Sequence, residues 1–473
     1  FVFSLCILRK PHPLISLFLF ILLVISSCVK SPEFAQNESL KWSNDTVYFD
    51  TIFTRQSQTG NYPISVTKIL SVKNPSDLWV NANFEVAGGD QSSYKINVDG
   101  LSGSKINNIE IAPNDSVFVF VQCALEANNE TQPALVLDSI WARVGTRNSK
   151  IMLAAYGWDA HYVRDSVIPN NTVWSDASKP YVIIDGAYVA PNSKWTWKEG
   201  IQVYASARSG IYVFGEFNIE GSKEARVSIQ GDKPVFSSKT LPNQWYGIYF
   251  APGGKGNIKY GDITNASFGV RTDSLAQGNA PSIRLSNTRI QYCGQTCLVS
   301  LSGGIEAENC LFADAGSYTF LGYFGGWYKF NHCTFADHSQ IAIRRDGHFG
   351  MTNTLRDGNG YLLDVKNLTF SIENSIIWGN RTDEVALDKV DQADFNFNSS
   401  FTLFRTKNEE EIIPKTTNYF NLDPLFEDHE IGNYSLTTTS PALEKANPAS
   451  GLSVDLFGNS RGNPADIGAI ETE

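Results

Sequence analysis

The sequence predicts an all-β protein, a β-sandwich followed by a parallel β-helix solenoid with a C-terminal cap. Three observations predict it. First, one template recurs: Ile283-Arg-Leu-Ser-Asn287, Ile305-Glu-Ala-Glu-Asn309-Cys310-Leu-Phe312, Tyr328-Lys-Phe-Asn-His332-Cys333-Thr-Phe335 and Phe370-Ser-Ile-Glu-Asn374-Ser375-Ile-Ile377. Their starts lie 22, 23 and 42 residues apart, the last interval being about two periods, and such periods mark a solenoid. Second, each copy alternates apolar and polar residues before its Asn, which is the pattern of a half-buried strand. A helical solenoid would need units of about 30 residues or more with 3.6-residue periodicity. Third, residues 45 to 160 lack the period and carry longer strand-like runs, Ile64 to Val72 and Ser116 to Val121, which read as a sandwich.

The elements follow in chain order. Arg9 and Lys10 precede an apolar run from Leu14 to Ile25 and then Ser26-Ser27-Cys28, the order of charge, core and small residues in a signal peptide, here residues 1–27. The run is too short to span a bilayer comfortably. With Phe1 first and Met152 and Met351 its only methionines, residues 1–8 are expected to be upstream or fragmentary sequence. Polar residues 28–44 read as a tether, 45–158 as the sandwich, and 159–179 as a linker containing Pro169. In the sandwich, Asn74-Pro75 should make a strand-end turn and Pro113-Asn-Asp a hairpin.

Residues 180–420 should form the β-helix, with room for roughly ten coils. Stacked coils would align Asn287, Asn309 and Asn374 into a side-chain amide ladder, interrupted by His332. Cys310 and Cys333 share one repeat position, so they should stack either as a disulfide or as buried thiols. Residues 421–473 should cap the solenoid, because an open coil exposes strand edges and core side chains.

Charged residues make up 18% of the chain and the net charge is −11, which argues against nucleic acid as a partner. No Ser-His-Asp order, phosphate loop or HExxH motif occurs, which argues against protease, kinase and nucleotide roles. Glycan chemistry has candidates. Asp337-His338 is followed by Arg344-Arg345-Asp346-Gly-His348; an arginine could hold a uronate carboxylate while a histidine moves protons. The same residues could equally be solvated turn residues. Asp314 aligns one coil earlier with Asp337, so the two acids should either share a cation or face water. Trp195, Trp197, Tyr323, Trp327 and Tyr328 could stack on sugars if exposed, or fill the core.

Ile25-Ser-Ser-Cys28 resembles the lipobox of bacterial lipoproteins. The resemblance implies lipidation of Cys28 and a lipid-anchored protein of the bacterial outer membrane or cell surface, since several acyl chains anchor stably where one is marginal. The order of motifs in residues 45–158 resembles immunoglobulin-like domains of the ASPM, SPD-2 and hydin type, which serve as spacers or docking surfaces. The tail carries Leu422-Asp-Pro-Leu-Phe426, Ser440-Pro-Ala-Leu443, Asp455-Leu-Phe-Gly-Asn-Ser-Arg461 and Asp466-Ile-Gly-Ala-Ile-Glu471. With Gln244-Trp-Tyr-Gly-Ile248 and His332-Cys-Thr-Phe335, it resembles the choice-of-anchor Q proteins, whose right-handed parallel β-helix is similar in fold to the pectin lyases.

The resemblance covers roughly residues 180 to 471 and implies a surface lipoprotein of bacteria that degrade glycans. Within the tail, Asp455, Arg461, Asp466 and Glu471 could bind Ca2+ but are better placed for ion pairs; no cofactor and no other metal is expected. The resulting expectation is a monomeric, lipid-anchored surface protein that contacts extracellular polysaccharide without catalysis. The alternatives are a polysaccharide lyase or glycoside hydrolase acting on an acidic glycan, with Arg344, Arg345, Asp337, His338 and His348 catalytic and Asp314, Asp346, Trp327 and Tyr328 binding glycan, or an adhesin.

Overall fold

The computed structural model describes residues 31–54, 67–127, 132–232, 240–275, 280–339, 344, 346–407 and 412–472. The expected signal peptide, Cys28 and Arg345 lie outside the described residues. The chain divides into two compact units, one built mainly from residues before 156 and the other from Tyr156 onward.

The first unit is a sandwich of a six-stranded and a five-stranded sheet. Strand Trp79–Val86 alternates so that Val80, Ala82, Phe84 and Val86 are fully buried, and Tyr94, Ile96 and Val98 of strand Tyr94–Val98 do the same in the other sheet. Two inner faces with period-two apolar residues are what a sandwich core requires. Asn74 makes the expected turn: its buried amide donates to the carbonyls of Leu78, Ile111 and Ala112. Two expectations are corrected. Pro113-Asn-Asp does not close a hairpin, because Lys105–Ile111 pairs with Trp79–Val86 while Ser116–Cys123 belongs to the opposite sheet, so the chain crosses between sheets there. The tether is partly structured, with Phe34–Ala35 and Lys41–Trp42 adding short strands to the two sheets.

The second unit is a parallel β-helix. One strand of each coil joins a nine-stranded sheet and two join an eighteen-stranded sheet, so among the described residues the solenoid has nine coils, close to the expected number. It starts inside the stretch expected to be a linker, where His161–Ile168 and Thr172–Trp174 pair in parallel with the next coil. Inward side chains fill one continuous core, in which Trp195, Trp197 and Tyr328 are buried. That removes all three as sugar contacts, and the reason is register: each alternates with outward residues on the nine-stranded sheet. The outward face of that sheet carries charges of alternating sign from coil to coil. Lys194 faces Glu216 and then Lys255, at 3.0 and 3.6 Å; Lys198, Glu220 and Lys259 are in register beside them; Arg284, Glu306 and Lys329 repeat the order at 3.1 and 3.5 Å.

The repeated asparagines mark the corner between a coil's first and second strands. Asn287, Asn309, His332 and Asn374 all have left-handed backbone, with φ of 49°, 50°, 48° and 51°, a conformation Asn tolerates better than most residues. Their side chains do not form the expected ladder with one another. Asn287 donates to the carbonyl of Asp455 at 2.5 Å, Asn309 accepts from Arg461 at 2.8 Å, and Asn374 accepts from the backbone of Asn447 at 2.7 Å while donating to Asn331. Apart from Asn331, which belongs to the preceding coil, the partners belong to the C-terminal segment, which lies along the flank of the coils. Its apolar residues cover outward side chains of successive second strands: Tyr434, Leu456 and Ala469 pack on Leu311, Ala313 and Ala336, and Leu436, Ala442 and Ile467 on Ile376, Trp378 and Leu403.

Arg461 is buried at the centre of this seam, paired with Glu471 at 3.0 Å and donating to the carbonyls of Val454, Gly468 and Ala469. The carboxylates of Asp455 and Asp466 accept from backbone N–H groups, and no group of three or more metal-ligating side chains occurs among the described residues. Cys293, Cys297, Cys310 and Cys333 are buried free thiols, the second of the two forms open to the stacked pair.

Candidate functional site

The long interval between the third and fourth repeats comes from two insertions in one coil. In the preceding coil, strand Leu311–Ala315 is followed almost at once by Tyr318–Tyr323; in this one, residues 338 to 348 separate Thr334–Asp337 from Phe349–Thr352. A hairpin, Thr354–Arg356 with Leu362–Val365, then intervenes before the next coil. The insertions therefore flank strand Phe349–Thr352 in the sequence.

Between them the sheet surface is low. The outward file of the third strands runs Tyr212, Tyr249, Arg271, Val299, Leu321, Gly350, Ala386, so side-chain bulk disappears at the last two positions. A groove of about 570 Å³ opens there, lined among others by Tyr318, Tyr323, Asp346, Arg381, Asp383 and Asp388. The ring of Tyr318 lies over Gly350, where a Cβ would come within 2.8 Å of its Cε1. Burial, and then the nearby charge of Asp346, raise the Tyr318 phenol above its usual range, so it stays a neutral donor. Asp383 accepts from Thr406 at 2.6 Å. Asp388 pairs with Arg356 of the hairpin at 3.3 Å and accepts from Thr354. Partial burial opposes its ionisation, but Arg356 and Thr354 hold its carboxyl below the usual range.

Below the groove wall lies the charged cluster that the sequence singles out. Arg344 reaches Asp337 at 2.9 Å and Glu384 at 2.7 and 3.2 Å. The Arg344 side chain is 8% exposed and both acids 0%. Asp337 also accepts from Ser339, backbone and hydroxyl. Burial pushes Asp337 up to about 6 in spite of Arg344. Glu384 is buried too, yet its carboxyl is held below the usual range. His348 is uncharged at neutral pH, so the Arg344 fork and the Arg381 backbone N–H at 2.7 Å account for this. The cluster closes only because two neighbours lack side chains: a Cβ on Gly347 would lie 2.3 Å from the Glu384 backbone, and one on Gly379 2.3 Å from Glu384 Oε1.

His348 is fully buried. Its Nε2 faces the Trp378 carbonyl at 3.0 Å, so that nitrogen carries the proton and Nδ1 accepts from Thr319 at 2.6 Å. Burial lowers its pKa to about 4. His338 stacks on His429 with centroids 4.1 Å apart, and burial followed by that neighbour lowers it to about 4. The expectation of a catalytic constellation is thus corrected in its location. Asp337, Arg344 and His348 do converge, but inward, where Arg344 pairs with Asp337 and Glu384 while His348 bonds Thr319 and the Trp378 carbonyl.

Asp314 is corrected likewise. It is 3% exposed and accepts from Tyr434 of the C-terminal segment at 2.6 Å. Burial, with a further contribution from Asp337, pushes it up to about 7. Trp327 is half-buried on the nine-stranded sheet, not on the sheet that carries the groove. Of the expected glycan-binding residues Asp346 lines the groove, and so does Tyr323 from the wider aromatic set. Tyr318, Arg381, Asp383, Asp388 and the buried Glu384 escape the sequence reading, because they sit one coil away and only the register Gly350 to Ala386 brings them together. A count of small residues along the outward file could have found the depression.

No family model matches the sequence, and no curated protein matches it. Among solved structures, the chain is similar to XylC in complex with xylose, at 10% identity and a TM-score of 0.36 over 91% of this chain and 88% of that one. It is also similar to an ASH/PapD-like domain of human CEP192, at 9% identity and a TM-score of 0.19 over 29% of this chain and 97% of that one. A third likeness is to the catalytic domain of a family 87 α-1,3-glucanase in complex with nigerose, at 9% identity and a TM-score of 0.18 over 81% and 99% of the two chains.

Proposed function

We propose that this chain is a lipid-anchored surface protein of the choice-of-anchor Q type that binds an extracellular saccharide in the groove around Gly350 without cleaving it. The groove itself carries the reading: a depression in a rigid parallel sheet, edged by tyrosines and by carboxylates whose spare oxygens accept hydrogen bonds from sugar hydroxyls. Arg344 and His348, which suit lyase chemistry, are buried and bonded to protein groups, Arg344 to Asp337 and Glu384 and His348 to Thr319 and the Trp378 carbonyl, which favours binding over elimination. The test is binding of a saccharide panel together with an assay for released reducing or unsaturated ends. Binding without release supports the proposal; steady turnover by the purified protein overturns it.

A second reading has one observation in its favour, since Asp346, Asp383 and Asp388 line one groove and a hydrolase works with paired carboxylates. Turnover abolished by Asp383→Asn or Asp346→Asn would establish it. Anchoring through Cys28 is tested separately: Cys28→Ala should release the protein from membranes, and unchanged retention would exclude the anchor. An adhesin would bind cell surfaces with no competition from soluble sugars.

A further inference from the structure

We propose that the groove selects glycans that carry protonated amino groups, such as those built from hexosamine units with a free amine, and rejects uronates. This rests on the reading of the groove as a saccharide site. The argument is electrostatic and geometric. Three carboxylates line the groove, Asp346, Asp383 and Asp388, and two guanidiniums lie near them. Arg356 is taken up by Asp388 at 3.3 Å and by the Gly360 carbonyl at 3.2 Å. Arg381 is tied by its Nη1 to the Arg344 carbonyl at 2.9 Å.

Among the described residues that line the groove, three carboxylates face one guanidinium, that of Arg381, and the Arg344 to Glu384 pair beneath contributes no net positive charge. The whole chain, at −11, adds a repulsive field for any polyanion. Aromatic faces complete the match with a cation. Tyr318 and Tyr323 line the groove, and Tyr361, 72% exposed, stands on the hairpin that Arg356 fastens to Asp388. An ammonium group is attracted both to a carboxylate and to the face of a tyrosine. A uronate carboxylate meets the repulsion of the three aspartates, opposed by the donors that Arg381 does not spend on the Arg344 carbonyl.

The experiment is calorimetric titration of the full chain with three sets of oligosaccharides of equal length: chitosan oligomers, uncharged cello-oligomers and oligogalacturonates, at low and at high salt. The expected order of affinity is chitosan, then cello-oligomer, then galacturonate. The first should exceed the last by at least about tenfold at low salt, and added salt should narrow the gap as it screens exposed charges. The double variant Asp346→Asn, Asp383→Asn should remove most of the preference for the amine, lowering the affinity for chitosan by a clearly larger factor than that for the neutral set. Galacturonate binding at least as tightly as chitosan, or a preference unchanged in the double variant, overturns the selectivity and leaves the groove standing as a saccharide site. If no set binds, or if Gly350→Val leaves binding intact, the groove reading fails and this inference falls with it.

Discussion

Arg461 donates a hydrogen bond to the side chain of Asn309 at 2.8 Å, across 152 residues of sequence. Asn309 belongs to the repeat that builds the solenoid and Arg461 to the segment that lies along its flank. The repeat therefore does two jobs at one position: its left-handed backbone turns the coil, and its amide receives the segment.

Arg461→Ala should be among the most damaging single changes in that segment. The guanidinium side chain is 1% exposed, and its removal leaves Glu471 without its ion-pair partner, with backbone N–H donors alone, and takes one donor from each of three carbonyls. Breaking a buried pair from one side costs about 3–5 kcal/mol. Asn309→Gly should cost only about 1 kcal/mol, since Gly keeps the left-handed turn and a single hydrogen bond is lost. Urea denaturation with limited proteolysis between residues 421 and 472 measures both; equal losses would show that the seam does not depend on the arginine.

Glu384→Ala should destabilise the solenoid by about 3–5 kcal/mol, because Arg344 would stay buried with Asp337 as its remaining partner. Glu384→Gln should cost less, as it keeps one acceptor for the fork. If Glu384→Ala is tolerated within about 0.5 kcal/mol, the cluster is open to water and its exclusion from chemistry must be revisited.

The pH dependence has a definite sign for each group. Asp314 and Asp337 have folded pKa values of about 7 and about 6, above the ordinary 3.8. The folded state then binds more protons than the unfolded one, and their contribution to stability falls as pH rises from about 4 to those values. His338 and His348, at about 4, act oppositely: the unfolded chain takes up protons below about 6.5, so their contribution is lost as pH falls toward 4. Asp314→Asn isolates one component. The variant should gain stability relative to the parent between pH 5 and pH 8, which parallel melting curves at the two pH values would show. A constant difference would mean that Asp314 titrates normally.

Gly347→Ala should disturb the cluster without touching any charge. Its Cβ would lie 2.3 Å from a Glu384 backbone atom, and backbone must move to admit it. A loss of about 1–3 kcal/mol is expected from overpacking of this kind. Thermal melts against Gly358→Ala, a position with no neighbour within 4 Å, provide the control.

The solenoid was legible in the sequence because its period and its strand alternation are local signals that every coil repeats. The asparagines were legible as turn residues, since the left-handed requirement acts on each one alone, but the direction of their amides was not. That direction depends on a segment more than seventy residues beyond the last copy. The charged cluster was visible as a density of Asp, Arg and His, and it does assemble. Its burial was invisible, because Glu384 and Gly379 come from the next coil and carry no repeat signature, and Gly347 within the cluster reads as an ordinary turn residue. The groove was harder still, being defined by missing bulk at Gly350 and Ala386 rather than by any reactive group.

The alternating charges on the nine-stranded sheet bear on how the coils find their order. Consecutive coils are nearly equivalent in backbone and in core residues, so a coil skipped during assembly would still find strands to pair with. Skipping one would set Lys194 against Lys255, Lys198 against Lys259, and Arg284 against Lys329. Each mispairing exchanges an attraction for a repulsion. Worth little one by one in the finished structure, these surface ion pairs act together as a parity check on threading, and their value lies in the wrong folds they penalise.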